Sequence, residues 1–468
     1  MTDLLLAPLR RLLPATVAGR VDALLGAGSQ AEAGRTALAA FALRVAGAAI
    51  AYLSQVVLAR WMGMYEYGIF VVVYVWITIL SQIGNLGFSS SVIRFIPEYR
   101  ATGDLARLWG VLRASRLAAA GFSTGLAAVG ALAAVTLPGA VDEHYVLPIL
   151  LGAVCLPLFC LTEVQDGIAR SFAWSDLAFG PTYIWRPVGV LAVMVAFHEA
   201  DLPMTAVTAC LAMIVATWIT ALGQLVGLRR RVAAAVERRA ARTDWRVWLG
   251  VSLPILLVDG FYALLTSVDV LMISHFGTPE DVAVYYAATK TLALVHFVAY
   301  AVRAASGPRF AYDHYAGDRV GLEAMVRTAV RWTFWPSVAV STLVLLVGDR
   351  LLALFGADFA GGAGLLVILV FGILARASIG PVETLLTLAG RQTTCAAIFG
   401  VALAVNVALN LVLIPAYGLY GAAAATAVAM VAEALLLAAA VRRHFGLTVF
   451  VFRLPPRNAL TAARGSSA

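Results

Sequence analysis

Apolar stretches of about twenty residues, long enough to cross a bilayer as a helix, recur along this chain with polar breaks between them. They fall at roughly 39–60, 68–91, 115–137, 146–169, 179–198, 204–227, 249–274, 283–305, 330–347, 363–388, 393–414 and 417–441, twelve in all. Hydrocarbon holds no water to satisfy open backbone groups, so such spans must be helices. The pattern predicts an all-α polytopic membrane protein. The ninth span is short, and the second and eighth are unusually polar.

Arginines between the spans orient them. Twenty-six fall in the arm, the alternate loops and the tail on one side, and only Arg60 and Arg350 on the other. Missing a single span would destroy that bias. The expected topology is N-in and C-in, with short outer loops. Residues 1–36 lack a signal peptide's continuous apolar region, because Pro8 and Pro14 interrupt Leu4–Leu6 and Leu12–Leu13. They read as a cytoplasmic arm lying on the membrane through its leucines and Arg10, Arg11 and Arg20.

Composition agrees. Apolar residues make up 62% and charged residues 13%, too few charges to cover a soluble surface. A secreted or cytosolic globule is excluded. The net charge of +8 sits in loops beside apolar spans, so anionic membrane lipids are the expected partner, not nucleic acid. Cys155, Cys160, Cys210 and Cys395 lie in apolar runs without metal spacing. There is no phosphate-binding loop of the Walker type and no His-Glu-x-x-His motif, so no cofactor is expected beyond a coupling ion.

The chain also repeats itself. Shifted by 214 residues, Gly63, Glu66, Gly103, Asp104, Leu108 and Arg113 fall on Gly277, Glu280, Gly317, Asp318, Leu322 and Arg327. Each half has six spans, an even number, so both enter the membrane in the same sense. Two six-helix lobes, 37–227 and 249–441, are expected about a pseudo-two-fold axis along the membrane normal. Residues 228–248 link them and 442–468 form a cytoplasmic tail. Rocking of two such lobes about a central cleft is the mechanism this architecture suggests.

Polar residues locate the cleft. At about 100° per residue, Arg44, Tyr52 and Gln55 share a face of the first span. Tyr74, Thr78, Ser81, Asn85 and Ser89 share one of the second, and Asp259, Tyr262, Thr266 and Asp269 one of the seventh. The eighth carries Tyr286, Thr289, Lys290, His296, Tyr300 and Arg303 over a wider arc. Intramembrane charges need a wet cavity or a partner; the alternative is that these stripes are interhelical glue. Lys290 is the only lysine among 34 basic residues. It reads either as a phosphate ligand or as half of a pair with Asp259 or Asp269. Arg44 and Arg303 carry forks suited to bidentate phosphate. Glu163, Asp166, Arg186, Arg376 and Glu383 lie in the fourth, fifth and tenth spans, where pairing such as Glu163 with Arg186 and Glu383 with Arg376 would satisfy them structurally.

Four stretches resemble bacterial polysaccharide flippases: Leu58-Ala-Arg-Trp-Met-Gly-Met-Tyr-Glu-Tyr-Gly68, Ile93-Arg-Phe-Ile-Pro-Glu-Tyr99, Tyr285-Tyr-Ala-Ala-Thr-Lys290 and Asn410-Leu-Val-Leu-Ile-Pro-Ala-Tyr-Gly-Leu-Tyr-Gly-Ala-Ala-Ala-Ala-Thr426. Over about 40–445 the chain is similar to the multidrug/oligosaccharidyl-lipid/polysaccharide exporter superfamily, in its O-antigen and exopolysaccharide flippase branch. The resemblance implies a two-lobed, twelve-helix fold like that of the multidrug (MATE) transporters, in a bacterial inner membrane. It implies movement of undecaprenyl-diphosphate-linked oligosaccharide to the outer leaflet, with the diphosphate on cleft cations, here Arg44, Lys290 and Arg303. A polysaccharide polymerase and a chain-length regulator are the candidate protein partners.

The expected mechanism is alternating access. Tyr52, Gln55, Tyr74, Asn85, Tyr286 and Tyr300 would contact sugars, and Asp259 and Asp269 would couple transport to H+ or Na+. Two rivals remain at this stage: a drug–cation antiporter of the same superfamily and a membrane glycosyltransferase or polymerase.

Overall fold

The computed structural model describes the backbone of residues 29–452, except 138 and 140, and their side chains apart from those of 29–42, 44 and 308. The helices are α1 (Ser29–Gly84), α2 (Phe88–Ala101), α3 (Leu105–Thr136), α4 (Glu143–Ser171), α5 (Ser175–Gly180), α6 (Arg186–Glu199) and α7 (Ala206–Ala235) in the first half. The second half holds α8 (Trp245–Leu265), α9 (Val268–Phe276), α10 (Pro279–Tyr315), α11 (Arg319–Ala353), α12 (Ala363–Ala377), α13 (Val382–Leu388) and α14 (Gln392–Phe445). No strand occurs among the described residues. Ten helical stretches are long and apolar enough to span a membrane. Two of them fold back at one glycine, Gly63 (φ 75°) in α1 and Gly418 (φ 56°) in α14, a backbone region that glycine enters without strain. Each of these two supplies two passes, giving the twelve read from the sequence.

Several spans are broken where polar groups gather. The second breaks at 85–87, the seventh at 266–267 and the tenth at 378–381, while the fifth carries a π turn at Pro181–Trp185. The linker is more helical than a loop: α7 runs on to Ala235 because no proline or glycine stops it after Gly227. The ninth span belongs to a 35-residue helix, since its polar first turns project beyond the apolar part.

The repeat is visible in detail. Asp104 accepts a hydrogen bond from the Arg107 amide at 3.0 Å, and Asp318 one from the Gly321 amide at 2.8 Å. Each caps its helix next to a left-handed glycine, Gly103 (φ 71°) or Gly317 (φ 72°). Between lobes, small residues let backbones touch, as membrane helices require. A Cβ on Gly68 would collide with the Pro279 carbonyl, and one on Gly87 with that of Ser252.

One apolar cluster runs through both lobes, joining Tyr67, Val71 and Ala209 to Tyr285, Ala287 and Leu366. Two others stay mainly within one lobe: Phe88, Phe95, Leu108 and Ile168 in the first, Phe310, Leu322, Leu385 and Leu437 in the second. The shared core lies toward the ends bearing few arginines. Toward the arginine-rich ends the start of α8 joins the two lobes. There Trp248 donates to the Tyr99 hydroxyl at 3.0 Å.

Candidate substrate cleft

The wall between the lobes is α1 against α10. The Tyr52 hydroxyl lies 3.3 Å from Thr291 Oγ1 and donates to the Leu351 carbonyl at 3.4 Å. The Tyr67 hydroxyl donates to Gln55 Oε1 at 2.9 Å, and its ring meets those of Tyr286 (6.4 Å) and Phe359 (6.2 Å) edge-on. Beyond them Arg60 donates to the Ala353 and Leu354 carbonyls. These contacts join the lobes at the end of the cleft that bears few arginines. Tyr52, Gln55 and Tyr286 thus meet where the lobes touch. Tyr74 stacks on Phe70 and lies within electrostatic reach of Lys290, Arg186 and Glu163.

Lys290 points its ammonium at the Tyr286 ring, 4.6 Å from the centroid. Neither Asp259 nor Asp269 pairs with it. Asp259 accepts instead from Ser90 across the lobe boundary at 3.0 Å. Asp269 is buried in the second lobe, where Tyr285, Thr426 and Asn410 donate to it at 3.2, 2.6 and 2.8 Å. Of the two readings of Lys290, a carboxylate pair is not what the fold makes.

The expected pairing of Glu163 with Arg186 does not form either. Glu163 accepts from Ser81 (2.9 Å), Gln82 (3.1 Å) and Asn85 (2.9 Å), three neutral donors on the second span. The Asn85 carbonyl oxygen accepts from the Gly87 amide at 2.8 Å, so both ends of this buried amide hold the helix break. Arg186 is only 6% exposed and lies over the Phe159 ring at 3.9 Å, with Nε and Nη2 unpartnered. It makes no ion pair among the described residues, although the buried carboxylates of Glu163 and Asp166 stand within electrostatic reach of it, and a guanidinium held there can accept an anion. The π turn beside it, where polar positions meet an irregular helix, is a signal the helical-stripe reading passed over.

The second lobe encloses a cavity of about 400 Å³ lined by Asp259, Tyr262, His296, Arg303, Arg376, Glu383 and Glu433. Arg376 bridges Glu383 and Glu433 (2.7 Å) and donates to the Gly380 carbonyl at 3.0 Å. The expected Glu383–Arg376 pair is therefore present, widened by a second carboxylate. Arg303 joins it through Glu383 at 2.7 Å while remaining 41% exposed. Two arginines and two glutamates balance within this network, and Asp259 adds a further carboxylate to the cavity wall. Tyr300 lies on the same helix, half-buried. The side chain of Arg44 lies outside the described residues.

Around Asp269 the fold adds residues that span-by-span reading missed. Asn406 and Asn410 stand one turn apart on α14, and Thr426 follows on its second arm. Two amides four residues apart in an otherwise apolar span were the available sign. Asn410 Oδ1 is buried without a partner.

The chain matches the family described as "Polysaccharide biosynthesis protein" over residues 34–312, and "MatE" over 254–412. Among curated proteins none matches it in sequence. Its fold is similar to an inward-facing multidrug MATE transporter (TM-score 0.69, 15% identity, 87% of this chain and 94% of the other). It is similar also to the lipid II flippase MurJ in an inward closed conformation (0.68, 13%, 86% and 87%). A third likeness is a superfamily transporter from Pyrococcus furiosus (0.64, 14%, 91% and 98%). With a family match over more than half its length and this twelve-pass, two-lobed fold, the chain belongs to the polysaccharide biosynthesis family of the multidrug/oligosaccharidyl-lipid/polysaccharide exporter superfamily, as a multi-pass membrane transporter.

Proposed function

We propose that this protein flips an undecaprenyl-diphosphate-linked oligosaccharide from the cytoplasmic to the periplasmic leaflet of a bacterial inner membrane, for surface polysaccharide assembly. The observation that carries the reading is a pair of cations that make no ion pair among the described residues, Lys290 and Arg186, one from each lobe, both within electrostatic reach of Tyr74. A diphosphate seated between them would neutralise both and draw the lobes together. Tyr52, Gln55, Tyr286 and Tyr300 offer rings and hydrogen bonds to sugars on the same wall. Arg44 and Arg303 belong to the same proposal. Arg303 can exchange Glu383 for phosphate because its head reaches solvent.

The arginine-rich face is taken as cytoplasmic by the positive-inside bias. On that orientation the wall between α1 and α10 closes the outer end, and rocking of the lobes exposes the cleft outward. The protein acts as a transporter, not an enzyme. A polymerase and a chain-length regulator remain candidate partners.

We place Na+ coupling at Asp269. Its surroundings are hard oxygen donors, the class alkali and alkaline-earth cations prefer: the carboxylate, Tyr285, Thr426 and the Ala422 carbonyl, to which Thr426 donates at 3.0 Å. Turning the Asn410 amide would put its unpartnered Oδ1 where Nδ2 now stands, 2.8 Å from Asp269. With one formal charge the set suits a monovalent ion. Asp259, at the lobe boundary, is the second coupling candidate.

Deleting the gene and measuring lipid-linked oligosaccharide beside surface glycan tests the reading. Accumulation of the lipid-linked repeat with loss of surface glycan supports it. Unchanged export, with redundancy excluded by deleting other flippase genes, overturns it. Asp259 makes no ion pair among the described residues, which favours the drug–cation antiporter; a drug-resistance assay in the same strain decides that alternative.

A further inference from the structure

On the arginine-rich face of the first lobe, outside the cleft, a cavity of about 600 Å³ opens between α3 and α7. Its floor is apolar, with Leu117, Ala120, Leu161 and Leu225, and its rim carries Arg113, Arg116, Arg229, Arg238 and Arg239. No carboxylate lines it. Arg239 pairs outside it with Glu237 at 2.8 Å, while Arg113, Arg116, Arg229 and Arg238 have no ion pair among the described residues. Arg116 Nε and Nη2 are shielded from solvent and have no hydrogen-bond partner, and Arg229 stands close enough to oppose its charge.

The site is built, not a passing arrangement of side chains. The linker is strapped onto α3. Trp109 donates to the Glu237 carbonyl at 2.9 Å, the Arg242 amide to the Ala106 carbonyl at 3.0 Å, and Arg107 reaches Asp244 at 3.4 Å. Gly110 is tight against the Arg242 carbonyl, where a Cβ would collide.

The repeat supplies an internal comparison. The same place in the second lobe, against α11, α12 and α14, is a cavity of about 590 Å³ lined by Phe334, Phe371, Phe450 and Phe452, with Arg442 as its one charge. Helices α3 and α11 start 214 residues apart, so Ala120 corresponds to Phe334 and Arg116 to Val330. The fold therefore tolerates an apolar cavity here. The arginines of the first lobe are not needed to make it.

We propose that this cavity binds an anionic phospholipid of the leaflet facing the arginine-rich loops. The headgroup phosphate is held by Arg116, Arg229 and Arg238, and an acyl chain lies along Leu117 and Leu161. A basic rim over an apolar floor at the membrane surface is the chemistry such lipids recognise. The site lies apart from the cleft and does not depend on which cargo is moved.

The test is native mass spectrometry of the purified full chain titrated with phosphatidylglycerol, and separately with phosphatidylethanolamine. Expected is retention of phosphatidylglycerol over phosphatidylethanolamine, weakened about thirtyfold in an Arg116→Val, Arg229→Ala variant. If burial of Arg116 makes that variant fail to fold, Arg229→Glu with Arg238→Glu, both exposed, reads the same loss. Unaltered phosphatidylglycerol binding in these variants overturns the proposal, as does equal retention of both lipids. So does a retained mass matching a prenyl diphosphate, or equal displacement by inorganic phosphate, which would mean that the chains add nothing.

Discussion

Lys290 stands 4.6 Å from the centre of the Tyr286 ring, one helical turn away, with the ring face in place of a carboxylate. Arg186 has the same relationship to Phe159 at 3.9 Å. An aromatic face steadies a cation in a dry setting without neutralising it, and in the proposed function that charge meets the diphosphate.

Removing either charge should block transport. Lys290→Ala and Arg186→Ala are each expected to lower export at least about tenfold, the loss of one charge-assisted contact. Lys290→Arg should retain part of it. Surface glycan, scored against membrane protein level, checks this. Normal export by both alanine variants would sink the assigned roles.

Asp269→Asn should remove ion dependence. In vesicles, wild-type transport is expected to rise with an inward Na+ gradient, and the variant to ignore it. Asp259→Asn separates the two candidates. A Na+ response that survives in Asp269→Asn but not in Asp259→Asn would move the coupling site to the lobe boundary.

Arg376→Ala leaves Glu383 and Glu433 buried without the group that bridges them. Orphaning a buried charge typically costs about 3–5 kcal/mol. A clearly lower melting temperature in detergent is expected. Arg94→Ala, which breaks a surface pair with Glu98 at 3.7 Å, should cost under about 1 kcal/mol. Equal melting temperatures for the two variants would contradict the ion network's structural role.

Ser91 Oγ and Ser252 Oγ lie 2.6 Å apart across the lobe boundary. Cysteines at both positions should cross-link under mild oxidation. If the lobes must rock, transport then stops and returns on reduction. Transport that continues through a complete cross-link would rule out separation of the lobes at this point.

Most of the architecture was legible in the chain because its causes are local. Twelve apolar runs fix twelve passes, since an unsatisfied backbone cannot stand in lipid. The 214-residue repeat fixes two lobes, and Asp104 and Asp318 cap equivalent helices because the same residues meet the same amides. Helical stripes named Tyr52, Gln55, Tyr74, Tyr286 and Lys290, which the fold brings to the meeting of α1 and α10. Partnership was different. Sequence spacing suggested Glu163 with Arg186, yet Glu163 took three neutral donors from the second span. It offered Asp269 to Lys290, yet Asp269 found Asn410 and Thr426 on a helix more than 130 residues away. Periodicity gives the direction of a side chain around its own helix and nothing about the rotation and depth of its neighbour. Those are set by packing at contacts such as Gly68 on Pro279, and only the tertiary structure decides which charges are compensated and which are left for a ligand.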